Sequence, residues 1–216
     1  MNHQDIDNLS RAVKQFNKEK KANDERTKIT NITTNTTVDV DGDGRVTNSD
    51  VEILKAYQRG ERGDKLKKKA NAYSNLTGAQ IEAKAKTVID AKTIDVDNNS
   101  KINHSDFSKL SKTVKANDKN LTDTTIRNLT TNKTIDTDGN NTVNQKDLDL
   151  LEAYMRGDRG SKLRRFIPQG GNQAQIETRL AGLISNRTVD VNKDGKIDHK
   201  DINLMREQLR KNIRPS

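Results

Sequence analysis

The sequence predicts an all-α protein in which four helix-loop-helix repeats are arranged as two paired units. Two observations carry this prediction. A twelve-residue acidic pattern occurs four times along the 216 residues, and apolar residues at helical spacing follow every copy. Such internal repetition is the signature of a supersecondary unit that buries its apolar face against further copies of itself.

The composition limits how such a chain is stabilised. Only 30% of the residues are apolar and 3% are aromatic, whereas 33% are charged and the formal net charge is +9. This leaves little apolar surface to offset the conformational entropy of the chain. There is no cysteine, which excludes disulfides, thiolate metal sites and thiol catalysis. We therefore expect bound metal to supply the missing stability.

The acidic pattern defines loops one to four, which are residues 39–50, 95–106, 136–147 and 190–201. Successive loops begin 56, 41 and 54 residues apart, so the larger repeat is a pair of loops. The text AYQRGERGDKL at 56–66 follows loop one and returns after loop three as AYMRGDRGSKL at 153–163. The 41-residue interval leaves a second pairing open, in which loops two and three are partners across the unit boundary.

A further copy of a loop end stands at the N-terminus. Asn2-His3-Gln4-Asp5 matches 103–106 and 198–201, and apolar residues follow at the same spacing in each case. We expect residues 1–23 to be the exit helix of a truncated preceding repeat, with Met1 supplied as a start codon. The paired units are then expected at 24–118 and 119–216.

Each loop carries oxygen donors at alternating positions. Short oxygen-bearing side chains stand at positions 1, 3 and 5, position 7 offers its backbone carbonyl, and aspartate stands at position 12. Oxygens that alternate along a tight turn converge on one point, which suits the six to eight oxygen ligands of Ca²⁺. The expected ligands are Asp39, Asp41, Asp43, Arg45 and Asp50; Asp95, Asp97, Asn99, Lys101 and Asp106; Asp136, Asp138, Asn140, Thr142 and Asp147; Asp190, Asn192, Asp194, Lys196 and Asp201.

The four loops are not equivalent. Position 6 requires a left-handed backbone, which Gly44 and Gly195 adopt freely, Asn141 tolerates and Ser100 accepts least well. Loop two is therefore the expected weakest site. Loops one and four each carry four carboxylates of the ligand type, counting Asp198 at position 9, and are expected to bind tightest. Magnesium is a lesser alternative, because aspartate at position 12 reaches less far than glutamate.

Apolar residues at spacings of three and four predict helices on both sides of the loops. The sequence predicts capping boxes at Ser49–Glu52 and Thr77–Gln80. Apolar residues at position 8 are expected to pair the loops through a short strand. Exit helices carry Val51, Leu54, Tyr57; Phe107, Leu110, Val114; Leu148, Leu151, Tyr154; Ile202, Met205, Leu209. Entering helices carry Ile81, Ala85, Val88, Ile89 and Ile176, Leu180, Leu183, Ile184, with shorter ones at Ile29, Ile32 and Ile126, Leu129.

The run VDVDGDGRVTNSDVEILKAYQRG at 38–60 resembles a type I dockerin repeat, an EF-hand-like calcium loop with aspartate at both ends. The resemblance covers the four loops and their exit helices. It implies all-α calcium-binding duplications, usually on secreted bacterial proteins, that dock onto cohesin modules. It also implies partner contacts at loop positions 10 and 11, which here are Asn48-Ser49, His104-Ser105, Gln145-Lys146 and His199-Lys200.

These features predict a non-catalytic, calcium-stabilised spacer module of a larger extracellular or cell-surface protein, whose partners are neighbouring repeats of the parent chain. The alternative is a dockerin-type docking module that binds a cohesin-like partner. A basic module for glycan, cell-wall or nucleic-acid anions is less favoured, because aromatic residues for base stacking are sparse. A calcium sensor is disfavoured by the presence of only three methionines. No run of apolar residues is long enough to span a membrane.

Overall fold

The computed structural model describes residues 3–213, and its regular elements over that range are all α-helices, as predicted. The chain divides into two compact units, Met1–Asn117 and Asp118–Ser216. Each unit has its own apolar cluster, which we call cluster one and cluster two. Asn2, which belongs to the motif at the N-terminus, lies outside the described residues.

The first unit is built from helices on both sides of loops one and two. They are α1 (His3–Thr34), α2 (Asn48–Gln58), α3 (Asp64–Lys67), α4 (Gly78–Asp90) and α5 (His104–Thr131). The boundary between the units falls within α5. The second unit continues with α6 (Gln145–Met155), α7 (Ser161–Arg164), α8 (Gln173–Ser185) and α9 (His199–Ile213).

The entering helices before loops one and three are not short, so that prediction was wrong. Ile29 and Ile32 lie near the end of α1, which has 32 residues, and Ile126 and Leu129 lie near the end of α5, which has 28. Neither helix contains glycine or proline, so nothing in its sequence ends the exit segment before the entering segment begins. One continuous helix therefore serves both roles.

The connection from α2 to α4 is interrupted by glycines instead. Gly60 and Gly63 have φ values of 94° and 52°, which only glycine adopts without strain. The Arg62 guanidinium stacks on the Tyr57 ring, 4.0 Å from its centroid, and the N–H of Gly63 donates to Glu82 of α4 at 2.9 Å. The second unit repeats this arrangement with Arg159 on Tyr154 at 3.1 Å and with Gly160 donating to Glu177 at 2.9 Å. The repeated R-G-x-R-G text thus holds the exit helix of one loop against the entering helix of the next.

Loops one and two contribute to the same apolar cluster. Val46, at position 8 of loop one, is buried in cluster one, and Ile102, at position 8 of loop two, packs against that cluster. The Gln58 side chain donates to the Ile102 carbonyl at 2.8 Å. Val143 and Ile197, at position 8 of loops three and four, both pack against cluster two. The described residues contain no strand, so the short strand predicted between loops is wrong. The position-8 side chains therefore bring the two loops of each unit to one apolar cluster.

Burial is also high next to the first aspartate of every loop, which the sequence analysis did not predict. The flanking residues are Val38 and Val40, Ile94 and Val96, Ile135 and Thr137, and Val189 and Val191, and each is at most 1% exposed. These residues fix the start of each loop to the core. No helix in the described range is long and apolar enough to cross a lipid bilayer.

Candidate metal centres

The aspartate at position 12 closes each loop onto its own beginning. In loop one, Asp50 Oδ1 accepts from the backbone N–H of Val40 at 2.8 Å, and Oδ2 accepts from that of Thr47 at 2.7 Å. The aspartates at position 12 of the other loops accept the same two backbone N–H bonds. The donors are Val96 and Asn103 for Asp106, Thr137 and Asn144 for Asp147, and Val191 and Asp198 for Asp201. The four loops therefore share one backbone fold.

The aspartate at position 1 organises the turn from the other end. Asp39 accepts from the N–H groups of Gly42 at 2.7 Å and Gly44 at 3.0 Å. The position-6 N–H bonds in the same way to Asp95, Asp136 and Asp190 in the remaining loops. The position-5 side chains Asp43, Asn99, Asn140 and Asp194 accept from the N–H groups of Arg45, Lys101, Thr142 and Lys196. The assignment of the position-7 carbonyls as ligands stays a prediction.

Carboxylate oxygens from positions 1, 3 and 12 converge in three loops. Within each group the oxygens lie within 4.8 Å of one another. In loop four, position 3 is Asn192, an amide in place of a carboxylate. The carboxylate groups are Asp39, Asp41 and Asp50; Asp95, Asp97 and Asp106; Asp136, Asp138 and Asp147.

The electrostatics of these groups fit a divalent cation. Asp41 and Asp50 are 0% and 1% exposed. Burial, to which neighbouring carboxylates add, raises the pKa of Asp41 to about 6 and the pKa of Asp50 to about 7. Burial also raises the pKa of Asp147 and of Asp201. Buried carboxylates of like charge are costly unless a cation compensates them, and an all-oxygen donor set selects a hard ion.

The backbone at position 6 is left-handed in all four loops, as predicted, with φ values of 89° at Gly44, 67° at Ser100, 72° at Asn141 and 82° at Gly195. Position 4 is left-handed as well, which the sequence analysis missed. The residues there are Gly42, Asn98, Gly139 and Lys193, with φ values between 56° and 75°. Three of the four loops have glycine or asparagine at position 4, and this preference could have predicted the left-handed backbone there.

Position 9 of each loop lies at the start of the exit helix. Thr47 is the N-cap of α2, and its partner in the capping box is Asp50, so the prediction of a box at Ser49 and Glu52 was wrong. Asp50, the expected ligand at position 12, fills the place in the capping box that the local spacing assigned to Glu52. The box at Thr77 and Gln80 is confirmed. Asp198 Oδ1 accepts from the N–H of Lys200 at 2.7 Å, so this carboxylate of loop four is engaged at the helix start.

A second layer of contacts supports loop one from outside. The backbone N–H of Asn71 donates to Asp41 Oδ2 at 2.7 Å, and the Ser74 hydroxyl donates to the Asp41 carbonyl. The Lys84 ammonium donates to the Asp39 carbonyl at 3.0 Å. These residues come from the segment between α3 and α4 and from α4 itself, and no spacing rule in the sequence connects them to the loop.

Paired helix-loop-helix elements with converging oxygen donors define an EF-hand-like class of metal-binding repeat proteins. A family model, the dockerin type I domain, matches residues 37–115 and 134–210. The chain therefore belongs to the type I dockerin family. Each match covers both loops of a unit and the residues between them. Comparison with curated proteins and with solved structures gave no match.

Membership of this family answers several questions that the sequence left as predictions. Dockerin domains bind Ca²⁺, so calcium is the ion that the acidic groups of this chain serve. The prediction of all-α calcium-binding tandem repeats is confirmed. Dockerins are non-catalytic docking modules that are typically found in secreted or cell-surface proteins. Which atoms complete each coordination shell remains a prediction.

Proposed function

We propose that the chain is a calcium-dependent docking module in which each unit binds a cohesin-like protein partner. The observation that carries this proposal is that both units contain a complete pair of loops, and that the dockerin family model spans each pair as a whole. The aspartate at position 12 holds the first turn of each exit helix against the start of its loop, and calcium bound between positions 1, 3 and 12 would reinforce this link. The exit helices then present the surface that a partner contacts.

The two units differ at the loop positions through which dockerins are expected to contact their partners. Position 11 is Ser49 and Ser105 in the first unit but Lys146 and Lys200 in the second. Ser105, Lys146 and Lys200 are exposed, and Ser49 is half-buried. At position 11 the two loops of each unit are thus alike and differ from those of the other unit, whereas position 10 differs between the two loops of each unit. We infer that the second unit prefers a partner with an acidic contact surface.

The test is calorimetry of the full chain against a panel of cohesin domains, in calcium and in EDTA. A cohesin that binds in calcium and not in EDTA supports the proposal. The double variant Lys146→Ser, Lys200→Ser should weaken binding to the second unit by roughly tenfold, which corresponds to about 1.4 kcal/mol. The matched control Lys119→Ser, Lys162→Ser removes the same charge from other exposed positions of this unit and should leave the affinity unchanged. Equal losses in both variants would contradict a specific role for position 11.

The second candidate function is a structural spacer, and α5 is the observation that favours it. This helix leaves loop two and reaches loop three without a break over 28 residues. Insertion of two glycines after Asn117 distinguishes the two functions. A docking module should keep its partner affinity after the insertion, whereas a spacer should show a broadened distance distribution between fluorescent labels placed in the two units.

We further propose that the parent protein is secreted or displayed on a bacterial surface and that this chain takes no part in catalysis. Extracellular calcium modules commonly have dissociation constants of ~10⁻⁴ to 10⁻³ M. Such sites are filled outside the cell, where free calcium is in the millimolar range, and are empty in the cytosol. The docking surface would then form after export.

A further inference from the structure

α1 carries a stripe of large apolar side chains that faces solvent. Ile6, Leu9, Val13 and Phe16 are 47%, 62%, 49% and 65% exposed. Their spacings of three, four and three residues place them on one face of the helix. Among the residues that the structure describes, only Leu121, at 40%, is a further large apolar side chain with comparable exposure. A concentrated apolar surface of this kind marks an interaction site.

The counterparts of Ile6, Leu9 and Val13 are buried or partly buried in the other two copies of this segment. Asp5 precedes the stripe as Asp106 and Asp201 precede theirs. The counterparts after Asp106 are Phe107, Leu110 and Val114, which are 3%, 0% and 0% exposed in cluster one. The counterparts after Asp201 are Ile202 and Met205, both 0% exposed in cluster two, and Leu209, which packs against that cluster. The same sequence element is therefore a core-forming exit helix wherever a loop pair precedes it.

The last turns of α1 also match the last turns of α5. Ile29 and Ile32 are buried in cluster one, as Ile126 and Leu129 are buried in cluster two. α1 is four residues longer than α5 (32 against 28), which is about one helical turn. α1 thus has both segments of a helix that joins two repeats, and only its first segment faces solvent.

We propose that the stripe is the surface on which an upstream calcium-binding repeat of the same kind packs. The occupant is a loop pair with the character of residues 24–103, whose apolar cluster is completed by Ile6, Leu9 and Val13 as Phe107, Leu110 and Val114 complete cluster one. Asp5 closes the second loop of that repeat at position 12. A second copy of this chain is a poorer occupant, because α5 and α9 already fill the corresponding places in its two clusters. Stability in such arrays comes from contacts between neighbouring repeats.

The experiment compares the full chain with an extended chain in which residues 24–103 are duplicated directly before His3. The copied loop two then ends at Asp5, and α1 becomes its exit helix. In calcium, hydrogen exchange at the amides of residues 6–13 should slow by about 100-fold or more relative to the full chain. Calorimetry should show two additional calcium ions per molecule.

Two variants of the extended chain test the stripe itself. Leu9→Asp should remove the gain in exchange protection, whereas Asn8→Asp places the same charge at an exposed neighbour off the stripe and should not. In the full chain, Leu9→Asp should leave the melting temperature unchanged, because Leu9 is 62% exposed there.

The proposal is overturned if residues 6–13 exchange equally fast in the full and extended chains. It is also overturned if Leu9→Asp behaves like Asn8→Asp in the extended chain. A full chain that sediments as a dimer, and that Leu9→Asp converts to monomer, would identify a second copy as the occupant and refute an upstream repeat.

Discussion

A single aspartate at loop position 12 has two tasks in this protein. Asp50 contributes an oxygen to the acidic group of loop one and also completes the capping box of α2 with Thr47. Aspartate at this place is short enough to accept from the backbone at positions 2 and 9 of its own loop. The spacing of the motif predicted the first task. The second depends on where the helix begins, which the motif alone did not specify.

The left-handed backbone at loop position 6 leads to a prediction at the residue scale. Ser100 has a φ of 67°, a conformation that costs a residue with a side chain roughly 1–2 kcal/mol. We expect Ser100→Gly to raise the calcium affinity of loop two by a few fold, because glycine adopts this conformation without steric cost. Calorimetric titration measures the change. Ser100→Ala keeps the β-carbon and should not show the gain, and an equal gain in both variants would show that φ is not the cause.

At the scale of the elements, glycines interrupt the connections that follow α2 and α6. α1 and α5 contain none, whereas the connection from α2 to α4 contains Gly60 and Gly63. The start of α4 packs directly against this connection, since a β-carbon at Gly78 would lie 2.5 Å from the carbonyl carbon of Gly63. The bond from Gly63 to Glu82 in this connection has its counterpart in the bond from Gly160 to Glu177 in the second unit.

Two glycine-to-alanine substitutions test this packing. Gly78→Ala should lower the free energy of unfolding by about 1–3 kcal/mol, because the new methyl group meets backbone that cannot move aside. Gly182→Ala lies inside α8, where a β-carbon would meet nothing within 4 Å, and should raise the free energy of unfolding by up to about 1 kcal/mol. Denaturant unfolding monitored by circular dichroism measures both. Destabilisation by Gly182→Ala, or none by Gly78→Ala, would contradict the assigned contacts.

At the scale of the whole molecule, two small apolar clusters are combined with buried carboxylates. Without calcium, Asp41 and Asp50 have pKa values of about 6 and 7 in the folded chain against an ordinary 3.8. A raised pKa in the folded state means that the folded chain binds more protons than the unfolded chain between these values. The stability contributed by the protonated carboxyl groups of Asp41 and Asp50 is therefore fully present below about pH 4 and is lost as the pH rises through about 6 and 7. Calcium binding needs the deprotonated carboxylates, so its stabilisation changes with pH in the opposite sense.

We therefore expect the melting temperature in EDTA to be higher at about pH 5 than at about pH 7.5. Calcium should raise the melting temperature and the helical content most at the higher pH. Circular dichroism at both pH values, with and without calcium, measures these effects. Asp41→Asn with Asp50→Asn should weaken the pH dependence in EDTA. If EDTA left melting and helicity unchanged at pH 7.5, the metal would not be a source of stability.

The chemistry of the loops and their repetition could be predicted from local sequence patterns. Aspartates and asparagines at fixed positions predicted four oxygen-donor loops, and apolar spacing predicted the helices around them, because both signals are local and recur in every copy. Three features emerged only from the folded chain: loops one and two share one apolar cluster, α1 and α5 each serve as exit and entering helix, and Asn71 and Ser74 support Asp41. These features depend on contacts between residues that lie far apart in the chain. Spacing along the sequence carries no information about such contacts until the clusters have formed.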